Sequence, residues 1–471
     1  MYKYILFILL GINLVVFGQT SLTPLANLSY TTALNDVWGY SDTLGNEYAL
    51  VGTSEGLSIV SLSDPNNPEE LFFFDGPTSI WRDVKTWQQY AYVVNEGAWG
   101  MLIVDMSNLP QSVDTTRTTL AGELWEAHNL YIDETGFAYI AGFENEAQTT
   151  EVNRRGVMLV DLNTNPMAPS IVGIYDDHYV HDVYVRGNTM YTSEVYEGWL
   201  GIIDISDKSN PVPIANQTTP YAFTHNAWLS NDGSHIFTTD ERNGAWVCSY
   251  DISDLSDIKE EDRYQSSPGQ QVMPHNVHVL NDFLVVSYYK DGIRIVDANE
   301  PNILVETAFF DTSPEFGSGS QGCWGVYPFL PSGTILATDR SEGLFIIEPN
   351  YTRAAYLSGT VSNAATSEVL SGVAVYSNLG SNNSQTISDI VGEFSFGIAE
   401  AGNYTIIAEK YGYALDSTQN VPLATAEIQT LNIALTPLNP YNLQINVVNT
   451  AGIAITNAQV TVSHSQGSYT A

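Results

Sequence analysis

The sequence predicts an all-β protein, a seven-bladed β-propeller followed by one complete and one partial immunoglobulin-like β-sandwich. The first observation is an apolar strand that recurs and ends in an acidic residue, at residues 100–105, 156–161, 201–204, 292–297 and 343–348. The second is its spacing, because repeats of roughly 40–50 residues built from short strands are typical of propellers. The third is a change of composition near Tyr356, after which Trp and His almost vanish.

Each blade is predicted to begin with its innermost strand at an equivalent pair of residues. These pairs are Asn35 and Asp36, Arg82 and Asp83, His128 and Asn129, His181 and Asp182, His225 and Asn226, His275 and Asn276, and Cys323 and Trp324. Seven openings predict seven blades over residues 19–350. Residues 22–30 resemble residues 212–218, the fourth strand of blade four, so we expect them to complete blade seven and leave no free sheet edge.

Residues 1–18 have the features of a signal peptide. Lys3 precedes an apolar run, and Val16 and Gly18 occupy the positions that determine cleavage, so Gln19 is predicted to begin the mature chain. The run is short for a membrane anchor, because a helical span needs roughly 20 apolar residues. We therefore expect a secreted or cell-surface protein without membrane insertion.

The chain is strongly acidic, with 16 Lys and Arg against 53 Asp and Glu and a formal charge of -37. Such a charge repels nucleic acid and anionic lipid, which argues against both as partners. The carboxylates are scattered through turns and strand ends, which is typical of a solvated surface. Alternatively, some acidic loops collect calcium, which prefers hard oxygen ligands.

The two cysteines, Cys248 and Cys323, are predicted to lie in separate blades, so a disulfide between them is not expected. Cys248 is part of an apolar strand, which also argues against a catalytic thiol. Stability must then come from burial of apolar side chains, and a chain of this length with 44% hydrophobic residues can supply a core.

Residues 356–437 alternate between apolar and polar like a small antiparallel sandwich. They contain a Gly-x-Val start at 359–361, a Gly-Val-x-Val strand at 372–375, an Asp-x-x-Gly-x-Phe turn at 389–394 and a later Gly-Tyr pair. This pattern resembles the carboxypeptidase regulatory-like domain, which implies a noncatalytic β-sandwich without peptidase ligands.

A second copy of the sandwich is predicted to begin within residues 441–471. Half a sandwich cannot bury its inner face. Either the chain is a fragment of a longer protein, or the segment remains poorly ordered.

The apolar strands at 101–105, 158–161 and 293–297, with the Asp-Pro-Asn-Asn-Pro turn at 64–68, resemble the LVIVD-repeat propellers of the choice-of-anchor B family. The resemblance covers about residues 22–350. It implies an exported protein with a separate C-terminal anchoring or sorting signal, often for type IX secretion. Anchoring would then depend on a missing C-terminal region, and the resemblance implies no established activity.

Four histidines share one repeat position: His128, His181, His225 and His275. Because strand openings surround the central channel at one end, we expect the four imidazoles to form an arc at the channel mouth. Imidazole suits zinc, iron, manganese or nickel, so the arc is a candidate divalent metal site. Alternatively, the histidines are packing and hydrogen-bonding devices that recur because the blade recurs.

Other polar side chains are predicted at the same rim. Second strands end in Asn95 and Glu96, in Glu194, in Asp240 and Glu241, and in Asp339, and hairpin geometry should return these ends to the mouth. Arg82 occupies the histidine position of blade two. Arg82, Glu96 and Asp339 are candidate ligand-binding residues, and Glu194 or Asp240 would serve as the base if the protein were an enzyme.

Trp81, Trp125 and Trp324 lie at or just before strand openings and are the tryptophans expected to be most exposed. Exposed aromatic rings stack on sugars, so a glycan is a candidate ligand beside a protein. The same rings between blades would be ordinary core.

Three patterns are rejected on their context. Gly-x-Ser-x-Gly at 52–56 joins two strands, and Gly-x-Gly-x-x-Gly at 317–322 precedes a strand, whereas both motifs need a helix. The His-x-x-His pairs at 178–181 and 275–278 lie on predicted strands, where residues three apart face opposite sides, so neither should chelate a metal.

These features favour a secreted or surface-bound, noncatalytic binding or interaction protein that uses its channel mouth, with the sandwiches as a spacer. One alternative is a metal-dependent hydrolase or lyase with a His-lined site. Another is a purely structural surface protein, for which the acidic charge and the appended sandwiches are sufficient.

Overall fold

The computed structural model describes residues 20–145, 155–377, 385–439, 444–464 and 467–470. The predicted signal peptide lies outside the described residues. The chain divides into two compact units at Ala354, and each is described by itself. Within the described residues, no helix is long and apolar enough to cross a membrane.

The first unit is a ring of seven sheets, each built on a four-stranded antiparallel meander, which confirms the predicted seven-bladed propeller. The N-terminal segment supplies β1 (Thr20–Ser21) and β2 (Thr23–Leu28). Blade one comprises β3 (Leu34–Ser41), β4 (Glu47–Thr53), β5 (Gly56–Ser61) and β6 (Glu69–Asp75). Blade two comprises β7 (Arg82–Trp87), β8 (Tyr90–Asn95), β9 (Met101–Asp105) and β10 (Asp114–Thr118). A single 3-10 turn (Leu120–Gly122) leads to blade three, which comprises β11 (Asn129–Ile132), β12 (Phe137–Ala141), β13 (Val157–Asp161) and β14 (Ser170–Tyr175).

The remaining blades repeat the same meander. Blade four comprises β15 (Asp182–Arg186), β16 (Thr189–Glu194), β17 (Trp199–Asp204) and β18 (Val212–Thr218). Blade five comprises β19 (Thr224–Leu229), β20 (His235–Asp240), β21 (Val247–Asp251) and β22 (Lys259–Tyr264). Blade six comprises β23 (Val277–Leu280), β24 (Phe283–Ser287), β25 (Ile293–Asp297) and β26 (Val305–Phe310). Blade seven comprises β27 (Cys323–Tyr327), β28 (Ile335–Asp339) and β29 (Gly343–Glu348), with β2 as its fourth strand.

The N-terminal segment closes the ring by pairing with two blades. Strand β2 runs antiparallel to β29, with Leu28 opposite Leu344. Strand β1 runs parallel to β26 of blade six, a contact that the sequence did not predict. Between them, the Leu22 N–H donates to the Phe309 carbonyl at 2.8 Å, and the Leu22 side chain is 3% exposed in the core between blades six and seven.

Neighbouring blades are held together by apolar side chains on both faces of each sheet. On β8, Ala91 and Val93 pack between blades one and two, whereas Tyr92 and Val94 pack between blades two and three. Strand side chains alternate between faces with a period of two, so a strand buried on both faces must be apolar at every position. This requirement explains the continuous apolar runs that recur in the sequence.

The second unit contains the sandwich. Its strands are β30 (Ala355–Asn363), β31 (Ala374–Ser377), β32 (Gln385–Ile387), β33 (Glu393–Ile398), β34 (Gly402–Glu409), β35 (Asp416–Leu423), β36 (Ile428–Thr430) and β37 (Ile433–Leu435). One sheet joins β33, β30 and β36, with β37 also on β30, and the other has the order β32-β31-β34-β35. Leu357, Phe396 and Ile406 are among the residues that the two sheets bury between them. A hairpin of β38 (Thr461–His464) and β39 (Gly467–Thr470) follows.

We expect Leu22→Ala to lower the free energy of unfolding by about 2–5 kcal/mol, because it leaves a cavity where the N-terminal segment joins blades six and seven. Urea denaturation of the mature chain measures the change. Leu44→Ala is the matched control, because Leu44 is 85% exposed and its truncation should change stability by no more than about 0.5 kcal/mol. Equal effects of the two substitutions would contradict a closing role for the segment.

Candidate functional site

The innermost strands line a central channel in successive layers. The layer nearest the mouth histidines consists of Asp36, Asp83, Asn129, Asp182, Asn226 and Asn276. Two residues further along the strands, the next layer includes Lys85, Tyr131, Tyr184, Trp228 and His278. Blade seven has Gly325 at the first-layer position, where a Cβ atom would lie 2.9 Å from Asp36 Oδ1. Glycine is therefore required for the close approach of blades seven and one.

The four predicted histidines form one continuous arc at the mouth. The ring centroids of His128 and His181 are 3.8 Å apart, those of His181 and His225 are 4.6 Å apart, and those of His225 and His275 are 4.4 Å apart. Trp324 continues the arc, 4.4 Å from His275. The arc predicted from the strand openings is present, and its members are in mutual contact.

Two histidines of the arc bind the backbone of the next blade. Nδ1 of His225 lies 3.2 Å from the His275 carbonyl oxygen, and Nδ1 of His275 lies 2.6 Å from the Trp324 carbonyl oxygen. A carbonyl only accepts, so both Nδ1 atoms carry the proton. Burial lowers the pKa of both imidazoles, which favours their neutral forms. In the neutral form each Nε2 presents a lone pair.

Glu241 is a carboxylate that meets the arc at His225. One ligand atom from each of His181, His225 and Glu241 can be chosen so that all three lie within 4.8 Å of one another. His225 Nε2 lies 3.7 Å from Glu241 Oε2, and the Tyr289 hydroxyl donates to Glu241 Oε1. The sequence predicted both Asp240 and Glu241 at the rim and selected Asp240 as the alternative base.

The structure shows why Glu241 rather than Asp240 reaches the mouth. Asp240 accepts hydrogen bonds from the Thr219 hydroxyl and from two backbone N–H groups of the loop that precedes β19. The same division occurs in blade two, where Asn95 binds its own loop and Glu96 Oε1 lies 2.6 Å from His128 Nδ1. The residue after the strand end faces the arc in both blades, and this shared position is the signal that could have distinguished Glu241 from Asp240.

Two other predicted rim carboxylates are also engaged in structural hydrogen bonds. Glu194 accepts hydrogen bonds from Tyr175, Thr192 and Trp199. Asp339 accepts from the Thr312 hydroxyl and from backbone N–H groups of the loop that follows β28. The predicted roles of Glu194 and Asp240 as a base and of Asp339 as a ligand are therefore not supported by their geometry.

The layer below the arc contains a buried charge cluster. Lys85 Nζ donates to Asp36 Oδ2 at 3.0 Å and also to Asp83 Oδ1. Burial raises the pKa of Asp36 well above its usual range. Burial also opposes ionisation of Asp83, but Lys85 and a hydrogen bond from the Leu130 N–H lower its pKa. Burial and the Asp83 charge raise the pKa of Asp182 to about 7.

Aromatic rings close the channel below this cluster. Trp228 lies 4.7 Å from His278 and 5.5 Å from Phe329, and Trp38 lies 4.7 Å from Tyr327, measured between ring centroids. The cavity above this plug has a volume of about 50 Å³. A water needs roughly 10–15 Å³ measured in this way, so the cavity holds a few waters or a small ionic group.

The predicted tryptophans and Arg82 have different environments. Trp81 is 39% exposed, Trp125 is half-buried, and Trp324 is only 8% exposed. The expectation that Trp324 is exposed is wrong, because His275 packs on its ring and the Arg340 guanidinium lies 4.9 Å from the ring centroid. Arg82 is buried and donates to backbone carbonyls of the segment before its strand and of blade one.

The histidines of the two His-x-x-His pairs are not related as strand neighbours. His178 and His181 precede β15, and His275 precedes β23, so the predicted strand assignment is wrong at these positions. His275 belongs to the arc and His278 to the aromatic plug, and both line the channel. Cys248 and Cys323 are buried free thiols, as expected.

Exposed aromatic side chains mark the mouth face of the propeller. Trp81, Trp99, Tyr196, Tyr221 and Phe316 are 39 to 82% exposed. Each lies in a segment that joins the second strand of a blade to the third, or the fourth strand to the next blade, and these segments lie at the mouth. Among the described residues of the opposite loops, the exposed large apolar side chains are the aliphatic Leu44 and Leu255. The sequence had singled out only Trp81 of these five.

Two family models match parts of the chain. The LVIVD repeat family model matches residues 43–75, 81–112 and 178–219, and the model of the carboxypeptidase regulatory-like domain matches residues 356–436. The protein is thus a propeller with LVIVD repeats and a carboxypeptidase regulatory-like domain. No curated protein matches the chain. Among solved structures, it is similar to the β-propeller domain of Cps50 (Swd1) from Myceliophteria thermophila, with 11% identity, 69% of this chain and 99% of that chain covered, and a TM-score of 0.49.

We expect Lys85→Met to destabilise the propeller by about 3–5 kcal/mol, because it leaves the buried Asp36 and Asp83 carboxyl groups without their cation. Thermal and urea unfolding measure the change. Lys259→Met is the matched control, because Lys259 and its partner Asp257 are 62% and 68% exposed and the pair should contribute less than about 1 kcal/mol. A Lys85 effect no larger than the control would contradict a stabilising role for the buried cluster.

Proposed function

We propose that the protein is an exported, noncatalytic binding protein that presents the mouth face of its propeller to a glycan. The observation that carries the proposal is the set of five exposed aromatic residues in the loops of that face, whereas the other exposed aromatic residue described in the propeller, Phe73, lies on the outer strand β6. Tyr and Trp combine an apolar ring with a polar atom, so they can stack on sugar rings and still bind water or hydroxyl groups. With a formal charge of -37, the protein should prefer a neutral glycan to an anionic one.

The channel geometry supports binding rather than turnover. Glu194 and Asp240, the two carboxylates proposed as a base, both accept several hydrogen bonds from neighbouring side chains and loop backbone. The cavity of about 50 Å³ ends on an aromatic plug, so it can admit a terminal group of a ligand but not a sugar ring. The glycan would therefore lie across the mouth face.

The domain composition supports a role at the cell surface. The LVIVD repeats and the regulatory-like domain are matched by their family models. We place the chain with the choice-of-anchor B proteins, whose export and C-terminal sorting, often by type IX secretion, fit the signal peptide proposed for residues 1–18. The sandwich would then act as a spacer between the anchor and the propeller.

Cleavage of the signal peptide has a direct test. We expect the protein recovered from the medium or surface of the producing cells to begin at Gln19, measured by mass spectrometry of its N-terminal peptide. Recovery of a chain that retains Lys3 would contradict processed export.

Glycan binding is tested on an array of neutral and anionic oligosaccharides with the full mature chain. We expect a neutral glycan to bind, and Trp81→Ala with Trp99→Ala to weaken binding at least about tenfold, equivalent to about 1.4 kcal/mol. Leu44→Ala on the opposite face is the control and should bind as the parent chain does. Absence of any glycan ligand, or equal binding by the tryptophan variant, would overturn the proposal and favour a protein ligand.

A further inference from the structure

We infer that His181, His225 and Glu241 form a binding site for one divalent transition metal ion, with zinc as the best fit. The first observation is their convergence from blades four and five, with ligand atoms that lie within 4.8 Å of one another. This site shares only part of the predicted arc. It omits His128 and His275 and adds Glu241, which the sequence placed at the rim without assigning it a role.

The second observation is the orientation of His225. Its Nδ1 lies 3.2 Å from the His275 carbonyl oxygen and donates to it, so Nε2 of the neutral ring carries a lone pair. That lone pair faces Glu241 Oε2 at 3.7 Å, which is longer than a hydrogen bond. Two acceptors that face each other are stabilised by a cation between them. Metal-binding histidines commonly donate their other ring N–H to a backbone carbonyl in this way.

The third observation is a neighbouring buried acceptor. His275 is 2% exposed, its Nδ1 donates to the Trp324 carbonyl, and its Nε2 has no hydrogen-bond partner among the described residues. The His275 ring lies 4.4 Å from the His225 ring, measured between centroids. An unpaired buried nitrogen is costly, and a metal-bound water beside the site would supply the missing donor.

The orienting contacts of the site are also present. The Tyr289 hydroxyl donates to Glu241, and the Tyr179 hydroxyl lies 3.1 Å from His181 Nδ1. Such contacts fix the direction of ligand lone pairs and raise metal affinity by about 10–100-fold. Glu241 Oε1 accepts the hydrogen bond from Tyr289, and Glu241 Oε2 remains to bind the ion.

Two imidazoles and one carboxylate favour zinc. Zinc ligands lie about 2.0–2.2 Å from the ion, which places tetrahedral ligands about 3.4 Å apart. Side-chain shifts of about 1 Å would bring the three groups to that spacing. Calcium and magnesium prefer oxygen ligands, so they should not compete for this site. The fourth position would face the cavity and be open to water or to a ligand oxygen.

The test uses the full mature chain without an affinity tag. A chelator first removes bound metal, and the protein is then titrated with zinc. Excess calcium is present throughout to occupy the acidic surface carboxylates. We expect one equivalent of zinc by calorimetry and by elemental analysis. Cobalt should replace it and give the visible absorption of a tetrahedral site. Glu241→Gln and His225→Asn should each lower the affinity at least about 100-fold, and the zinc-dependent rise in melting temperature should disappear with it.

Three variants keep the result interpretable. His181→Gln is a second ligand variant at a half-buried position, which protects the test if His225→Asn fails to fold. His128→Asn should retain one equivalent, because His128 lies outside the ligand set. His178→Ala removes a more exposed histidine that pairs with Glu197 and should bind as the parent chain does. Failure of the parent chain to bind a stoichiometric transition metal, or undiminished binding by folded Glu241→Gln and His181→Gln, would overturn the inference.

Discussion

Closure of the ring is the constraint on which the rest of the propeller depends. Each four-stranded sheet is apolar on both faces and can bury them only between two neighbours, so no blade can stand at an open end. The pairing of β2 with β29 gives blade seven its fourth strand, and β1 adds a parallel contact to blade six. Strand β2, near the start of the propeller sequence, and β29, its last strand, thus lie in the same blade, blade seven. The pairings also remove the strand edges that would otherwise pair with another chain.

The closed ring fixes the distance between blades at the channel, and that distance creates the site. Histidines about 50 residues apart in sequence have ring centroids within 5 Å of one another because every innermost strand begins at the same height. The repeated side chain also ties the blades together, since His225 and His275 each bind the backbone of the next blade through Nδ1. The packing and metal-binding interpretations of the arc are thus compatible, because they use different nitrogens of the same rings.

The central channel is open at the mouth and closed by aromatic rings a short way below it. Lys85 neutralises part of the acidic layer below the arc, and the ring contacts of Trp228, His278 and Phe329 close the floor. A closed floor confines ligand access to the mouth, where the exposed aromatic residues lie.

The sequence by itself determined the repeat, the blade number, the closing strand and the alignment of the four histidines, because these follow from periodic patterns along the chain. It also identified the regulatory-like sandwich. Only the tertiary structure decided which neighbour each side chain faces. In the folded protein, Asp240 and Glu194 are engaged in structural hydrogen bonds, whereas Glu241 reaches the arc. Trp324 is buried, and His278 belongs to the aromatic plug. These outcomes depend on contacts between blades and on where each strand begins to within one or two residues. A one-residue difference reverses the direction of a side chain, and a repeat pattern does not define strand ends that closely.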